Sequence, residues 1–431
     1  MVDKKEEIIK NIIMEQCSNL NSVMKTGYNF RNRWSSSNLI NRVRRNSYLL
    51  IIILSVACGH TEKNADSPAT VKIDIGTRHN EKSIADFQSR FSINRLIPIE
   101  TSDVSLLGGN LMQVIVSGED VFILDGTQQF TVFRYNIAGK FIRSINRRGN
   151  GPQEYINAIS IAVANDKLYV ADNMGKRILQ YDLDGKYLNT VSLDHNVYQL
   201  IVDRSGNMIM TGSYTNNYML YIYDQSGTNI ANYFPRDEKL GNMMLTQTSM
   251  NSLKFYKNGI YVTNYFDPTI YYIRDNEVKP LAVFDFGINN IPQDLFIGDP
   301  RQKMEKFTAN REKSVMSIDN LTITDDWIIF VPEKFRDFYV VYYNRKQNNY
   351  MTNRDFNIPY STFFGNYKAP YGYTEAGEYY SLIDSWDLRN MIEELAEKDN
   401  DYLSKYKFLK GIDPTKIQEE DNPWIVFYTL K

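Results

Sequence analysis

Short apolar runs that end on polar residues recur along most of the chain. The clearest set spans residues 168–193. Leu168-Tyr169-Val170-Ala171 stops at Asp172, and a polar loop carrying Gly175 follows. A second run covers 178–181, a tight turn reads Asp182-Leu183-Asp184-Gly185-Lys186, and a third run alternates from 187 to 193. Period-two alternation with Asp/Gly turns and no helical spacing predicts an antiparallel meander. A sheet this small cannot bury both faces alone, so it needs copies of itself to pack against.

The copies are present. Second strands are predicted at 121–125, 168–172, 208–211, 260–264, 328–331 and 379–382, and aromatic-rich third strands at 132–136, 178–182, 220–224, 270–274 and 339–344. Turns recur at 138–140, 184–186, 226–228 and 275–277. Six copies at intervals of about 40 to 67 residues predict an all-β fold, a six-bladed β-propeller. Residues 93–99 (INRLIPI) resemble the last strand of a blade, and 424–428 (WIVFY) resemble a third strand. The N-terminal strand is therefore expected to close the last blade and remove an exposed edge. Two stretches break the pattern. Residues 299–314 are charged and start with Asp-Pro, and 385–410 place Leu388, Met391, Ile392 and Leu395 at helical spacing. Both predict helical insertions, packed on one rim.

Composition supports strands: the 431 residues include 31 Tyr and 22 Phe. The two cysteines, Cys17 and Cys58, lie early, so no disulfide staples the body and no Cys-rich metal site is expected. Arg42, Arg44 and Arg45 precede the apolar run 48–56 (YLLIIILSV), followed by Ala57-Cys58-Gly59. A charged segment, a short apolar segment and small residues describe an export signal, and the run falls short of the ~20 residues of a membrane span. Ser55-Val56-Ala57-Cys58 resembles a bacterial lipobox, which implies lipidation of Cys58. Residues 1–57 form the expected leader, longer than the ~15–30 residues usual for signals, which points to an over-extended start. Residues 58–90 read as a tether and 91–431 as the propeller. Removing the leader leaves 40 basic and 47 acidic side chains, a net of −7. An acidic, exported protein is a poor nucleic-acid binder.

Three segments carry a family resemblance: Gly149-Asn150-Gly151-Pro152-Gln153-Glu154-Tyr155, the turn at 181–186, and Asp421-Asn422-Pro423 with the strand that follows. Over residues 90–431 the chain resembles the six-bladed β-propeller lipoproteins common in gut Bacteroidota, and residues 168–193 resemble the NHL repeat. The resemblance implies a cell-envelope setting, with the outer membrane the expected one, and no assigned activity.

Chemistry is expected on the variable loops, formed by the second-to-third and blade-to-blade connections. Arg148, Tyr155, Arg177, His195, Tyr214, Tyr265, Arg336 and Tyr371 are the candidate ligand contacts, with Arg147, Tyr198, Tyr218, Asp267 and Tyr367 beside them. Each has a plainer alternative: a solvated arginine, or a tyrosine that packs. Asp125 and Asp172 end strands, where a carboxylate bonds loop amides more readily than a metal. The glycines at 149 and 151 lack the strand–loop–helix order and the Lys-Ser/Thr of a nucleotide loop. His195 is the one histidine in the repeat region, too few for zinc catalysis, and no GxSxG stretch occurs. No cofactor or metal is expected. The pattern points to a lipid-anchored binding or scaffold module for a glycan, a peptide or an envelope protein. The alternative is a carbohydrate-active hydrolase or lyase with acidic residues at the channel mouth.

Overall fold

A computed structural model describes residues 69–73, 89–127, 130–212, 216–236, 252–275, 277–335, 337, 339–353 and 369–431. The leader, Cys58 and most of the expected tether lie outside these residues. Two strands precede the first blade: β1 (Ala69–Lys72) and β2 (Phe91–Pro98). Blade 1 holds β3 (Leu111–Ser117), β4 (Asp120–Asp125), β5 (Thr131–Asn136) and β6 (Phe141–Ile145). Blade 2 holds β7 (Ala158–Ala164), β8 (Lys167–Asp172), β9 (Arg177–Asp182) and β10 (Tyr187–Ser192). Blade 3 holds β11 (Val197–Val202), β12 (Met208–Gly212), β13 (Tyr218–Tyr223) and β14 (Asn229–Pro235). Blade 4 holds β15 (Leu253–Tyr256), β16 (Gly259–Thr263), β17 (Thr269–Arg274) and β18 (Glu277–Asp285). Blade 5 holds β19 (Ser317–Ile323), β20 (Trp327–Glu333), β21 (Val341–Asn344) and β22 (Asn349–Thr352). Blade 6 holds β23 (Gly372–Tyr373), β24 (Tyr379–Ile383) and β25 (Trp424–Leu430), completed by β2. The six-bladed propeller expected from the repeats is the fold observed.

Closure takes the expected form. Strand β2 runs antiparallel to β25 from Phe91 opposite Leu430 to Pro98 opposite Trp424. The Asp421-Asn422-Pro423 motif now has a physical role. The buried Asn422 side chain accepts from Leu107 N and donates to Glu100 O and Ser105 O, all at 2.8 Å. It thereby fastens the segment after β2 to the approach of β25. One strand was not anticipated. Residues 69–72, expected to belong to a plain tether, form β1, which pairs parallel to β18 as a fifth strand of blade 4.

The core is a set of six apolar seams, one between each pair of successive blades. Phe122, Tyr155 and Leu179 pack between blades 1 and 2. Val114, Phe133, Tyr380 and Phe427 pack between blades 6 and 1 and complete the circle. Hydrogen bonds follow the same order around the channel. The Gln113 amide donates to Ile161 O (2.9 Å) and accepts from Ile161 N (2.8 Å). Leu200 N donates to Ser160 Oγ at 3.1 Å. The Gln199 amide repeats the two-point clamp on Leu253 O and N, at 2.8 and 2.9 Å. Thr263 donates to Ile318 O at 2.8 Å and Thr322 to Pro370 O at 3.2 Å. Tyr380 donates to Val114 O at 3.4 Å and accepts from Val116 N at 3.3 Å. Every blade thus reaches the next. Innermost strands have one edge without a ladder partner, and these side chains satisfy backbone groups that would otherwise be orphaned.

The turns between third and fourth strands are built as their sequences suggest. Asn136, Asp182 and Asp224 each accept from two or more turn amides through their side chains. Gly139 and Gly185 take φ of 78° and 80°, and a Cβ on Gly139 would meet Pro98 O at 2.0 Å. Both the left-handed backbone and the close approach require glycine. The helical insertions are α1 (Pro300–Asn310), between blades 4 and 5, and α2 (Ser385–Lys398) with α3 (Tyr402–Lys405), between β24 and β25. Asp299 caps α1 in a capping box with Gln302, with Pro300 in the first turn. In α2, Leu388, Met391 and Ile392 are buried in the seam between blades 5 and 6.

Candidate functional site

The innermost strands enclose a channel that widens into two chambers of about 290 and 200 Å³. Lys254 and Tyr371 line both. Lys254 is the second residue of β15, between Leu253, which points into the blade 3–4 seam, and Phe255. Its ammonium donates to Tyr371 O across the channel at a long 3.4 Å. No ion pair to Lys254 forms among the described residues. Burial pushes its pKa down from 10.5 to about 8, and the negative charge of Asp319 on β19 opposes that shift. The same Asp319 charge also acts on Glu333. Burial raises the Glu333 carboxyl above its ordinary range, the Asp319 charge adds to that, and a hydrogen bond from Ser317 Oγ opposes it. Glu333 lines neither chamber.

The residues singled out from the sequence are dispersed. Of those among the described residues, Tyr371 alone lines the channel, and burial pushes its hydroxyl up to about 12. Tyr155 is fully buried, and its hydroxyl donates to Phe130 O at 2.8 Å. It is out of reach of a ligand because it packs the blade 1–2 seam. Arg177 is held by the buried Asp172 (3.0 Å) and by Glu154 O (2.6 Å). Arg148 is exposed, with its guanidinium 5.8 Å from the Phe130 ring. Tyr265 and Tyr198 line a cleft of about 20 Å³ between blades 3 and 4, room for roughly one water. Tyr214, Arg336 and Tyr367 lie outside the described residues.

Asp125 and Asp172 behave as strand-end clasps. The Asp125 carboxylate accepts from Gly108 N and Thr127 N, at 2.5 and 2.8 Å. Asp172 accepts from Ile156, Asn157 and Gly175 N as well as from Arg177. The Gly149–Tyr155 segment closes on itself through Gly149 N to Tyr155 O (2.9 Å) and Gly151 N to the Glu154 carboxylate (2.9 Å). Arg147 and Tyr181 tie that loop to blade 2 through Gly185 O and Gln153 O. The Gly149–Tyr155 segment is therefore a joint between blades.

His195 is buried in the connection from β10 to β11. Its ring stacks on Tyr221 at 3.6 Å, and Nδ1 lies 2.8 Å from Asp194 Oδ1. Burial lowers its pKa, and the Asp194 carboxylate opposes that shift. Nε2 is buried without a hydrogen-bond partner. No cluster of metal-ligating side chains occurs among the described residues.

Lys254 escaped the sequence reading because the innermost strand of the fourth copy was not delimited. The available signal was a lone cation between apolar neighbours, Leu253-Lys254-Phe255-Tyr256.

The fold and channel can now be set against known proteins. The family model described as a domain of unknown function, DUF4934, matches residues 70–429. The chain belongs to the DUF4934 family. The match begins within β1, so the parallel fifth strand falls inside the DUF4934 region. Comparison with curated proteins gives no match. Among solved structures, a Bacteroides fragilis protein designated as exported is 18% identical with a TM-score of 0.64, over 85% of this chain and 100% of its own. A DUF4221 family member from Bacteroides vulgatus is 8% identical with a TM-score of 0.49, over 80% of this chain and 99% of its own. The first likeness supports the propeller fold of this DUF4934 member. Among the described residues no helix is long and apolar enough to cross a membrane.

Proposed function

We propose that the chain is an exported, lipid-anchored propeller of the cell envelope that binds its ligand in the central channel. The outer membrane is its expected site, and a glycan, a peptide or an envelope protein its expected ligand. The observation that carries the binding reading is Lys254: a half-buried cation with one long hydrogen bond, facing two chambers walled largely by apolar and aromatic side chains. Such concavities, with few converging polar groups, are the usual form of a ligand site. The arginine, apolar run and Cys58 at the N-terminus support export and lipid anchoring. The designation of the Bacteroides fragilis protein as exported agrees with them. A glycan array and an envelope pulldown, each with wild type and Lys254→Met, test the binding reading. Capture that depends on Lys254 is expected, and turnover of a small substrate without capture contradicts it. Intact-mass measurement of membrane-extracted wild type and Cys58→Ser tests the anchor. A lipid mass increment confined to wild type is expected, and an unmodified mature chain contradicts it.

The carbohydrate-active alternative retains one observation, the raised carboxyl of Glu333 beside the Asp319 charge. It requires two carboxyls facing a common cavity, and Glu333 faces neither chamber.

A further inference from the structure

We propose that Lys254 makes the channel a seat for a small organic monocarboxylate with a flat apolar body. The inference rests on the reading of the channel as the ligand site and adds the ligand's chemistry. An ammonium carries three donors, and Lys254 directs one of them to Tyr371 O at 3.4 Å. The amides of Gln113 and Gln199 and the hydroxyls of Thr322 and Tyr380, along the larger chamber, clamp backbone of the next blade. Lys254 therefore meets the chambers with donor capacity that the surrounding protein leaves largely unused. Taking such a group even partly out of water is costly unless an acceptor reaches it.

The sign and size of the charge follow from the neighbours. Asp319 lies within electrostatic reach of Lys254. Asp319 offsets part of that single positive charge, so the site accepts at most a monoanion and a phosphate dianion is disfavoured. The body of the ligand follows from the walls. Phe255, Tyr256, Tyr371 and Tyr373 line the larger chamber. At 290 Å³ it is more than ten times the size of the one-water cleft beside Tyr265. That space holds a single ring bearing a carboxylate. Flat faces suit the aromatic walls.

Saturation-transfer NMR on the full chain tests the proposal, with sodium benzoate as the probe and benzyl alcohol as its neutral counterpart. A charge-assisted bond to Lys254 should favour benzoate by about tenfold or more in affinity. The preference should vanish in Lys254→Met and persist in Lys254→Arg, which keeps the charge should the methionine variant fold poorly. Equal binding of the two probes, no benzoate signal, or a preference retained in a folded Lys254→Met overturns the proposal. The outcome is separable from the broader reading. Glycan or partner capture without a benzoate preference removes the carboxylate seat alone. A benzoate preference without such capture leaves the seat standing and removes the proposed macromolecular ligand.

Discussion

Replacing Gln199 with alanine isolates one joint of the ring. Gln199 and Leu253 are 2% and 0% exposed, and the amide bonds both Leu253 N and Leu253 O. Truncation leaves one buried donor and one buried acceptor without their partner. Each orphan costs about 1–3 kcal/mol, so Gln199→Ala should lose roughly 2–5 kcal/mol. Gln113 makes the same two bonds to Ile161 but is half-buried on the channel wall. Water can replace its amide there, and Gln113→Ala should cost about 0.5–1.5 kcal/mol. Urea unfolding followed by far-ultraviolet circular dichroism measures both, on the midpoint and the slope together. Gln199→Glu adds a sign test. A carboxylate still accepts from Leu253 N but repels Leu253 O, so this variant should be weak at neutral pH. It should recover as acid protonates the side chain and restores a donor. A loss below about 1 kcal/mol for Gln199→Ala, or equal losses at the two sites, would refute the clamp reasoning.

Other consequences can be measured in the same way. Asn422→Ala removes three side-chain hydrogen bonds that hold the ring shut. It should cost about 2–4 kcal/mol and open residues 100–107 to limited proteolysis, whereas unchanged stability and cleavage would contradict the closing role. His195 has a folded pKa below its ordinary 6.5, so the unfolded chain takes up the proton first. Stability should fall as pH drops through 6.5 toward the folded value, and His195→Phe should flatten that slope in thermal melts. Lys254 has a folded pKa of about 8 against 10.5, so the folded chain releases its proton first. Wild-type stability should rise between those pH values, and Lys254→Met should raise stability at pH 7 and abolish the rise.

Architecture was legible where local chemistry repeats. Alternating runs and Asn/Asp-x-x-Gly turns mark the blades because each turn needs a left-handed glycine and an amide-capping side chain. Closure was legible because β2 precedes the first blade in the chain order while the sixth blade has only three strands of its own, β23 to β25. Strand β1 was not legible. Its four residues, Ala-Thr-Val-Lys, follow a polar stretch, and their pairing depends on an edge of β18 more than 200 residues away. The site was hardly legible. Exposed tyrosines and buried ones read alike in a sequence, so Tyr155 and Tyr371 could not be told apart until packing placed one in a seam and the other on the channel. Lys254 shows the converse: its significance comes from the innermost strands that surround it, contributed by distant parts of the chain.

The central channel with Lys254 on its wall is the feature on which the proposed function depends. The titration of Lys254 itself tests it most directly. In chain labelled with ¹³Cε-lysine, with Lys254→Met used for assignment, the Lys254 resonance should titrate near pH 8. A midpoint at the ordinary lysine value of 10.5 would place that ammonium in open solvent and contradict the account.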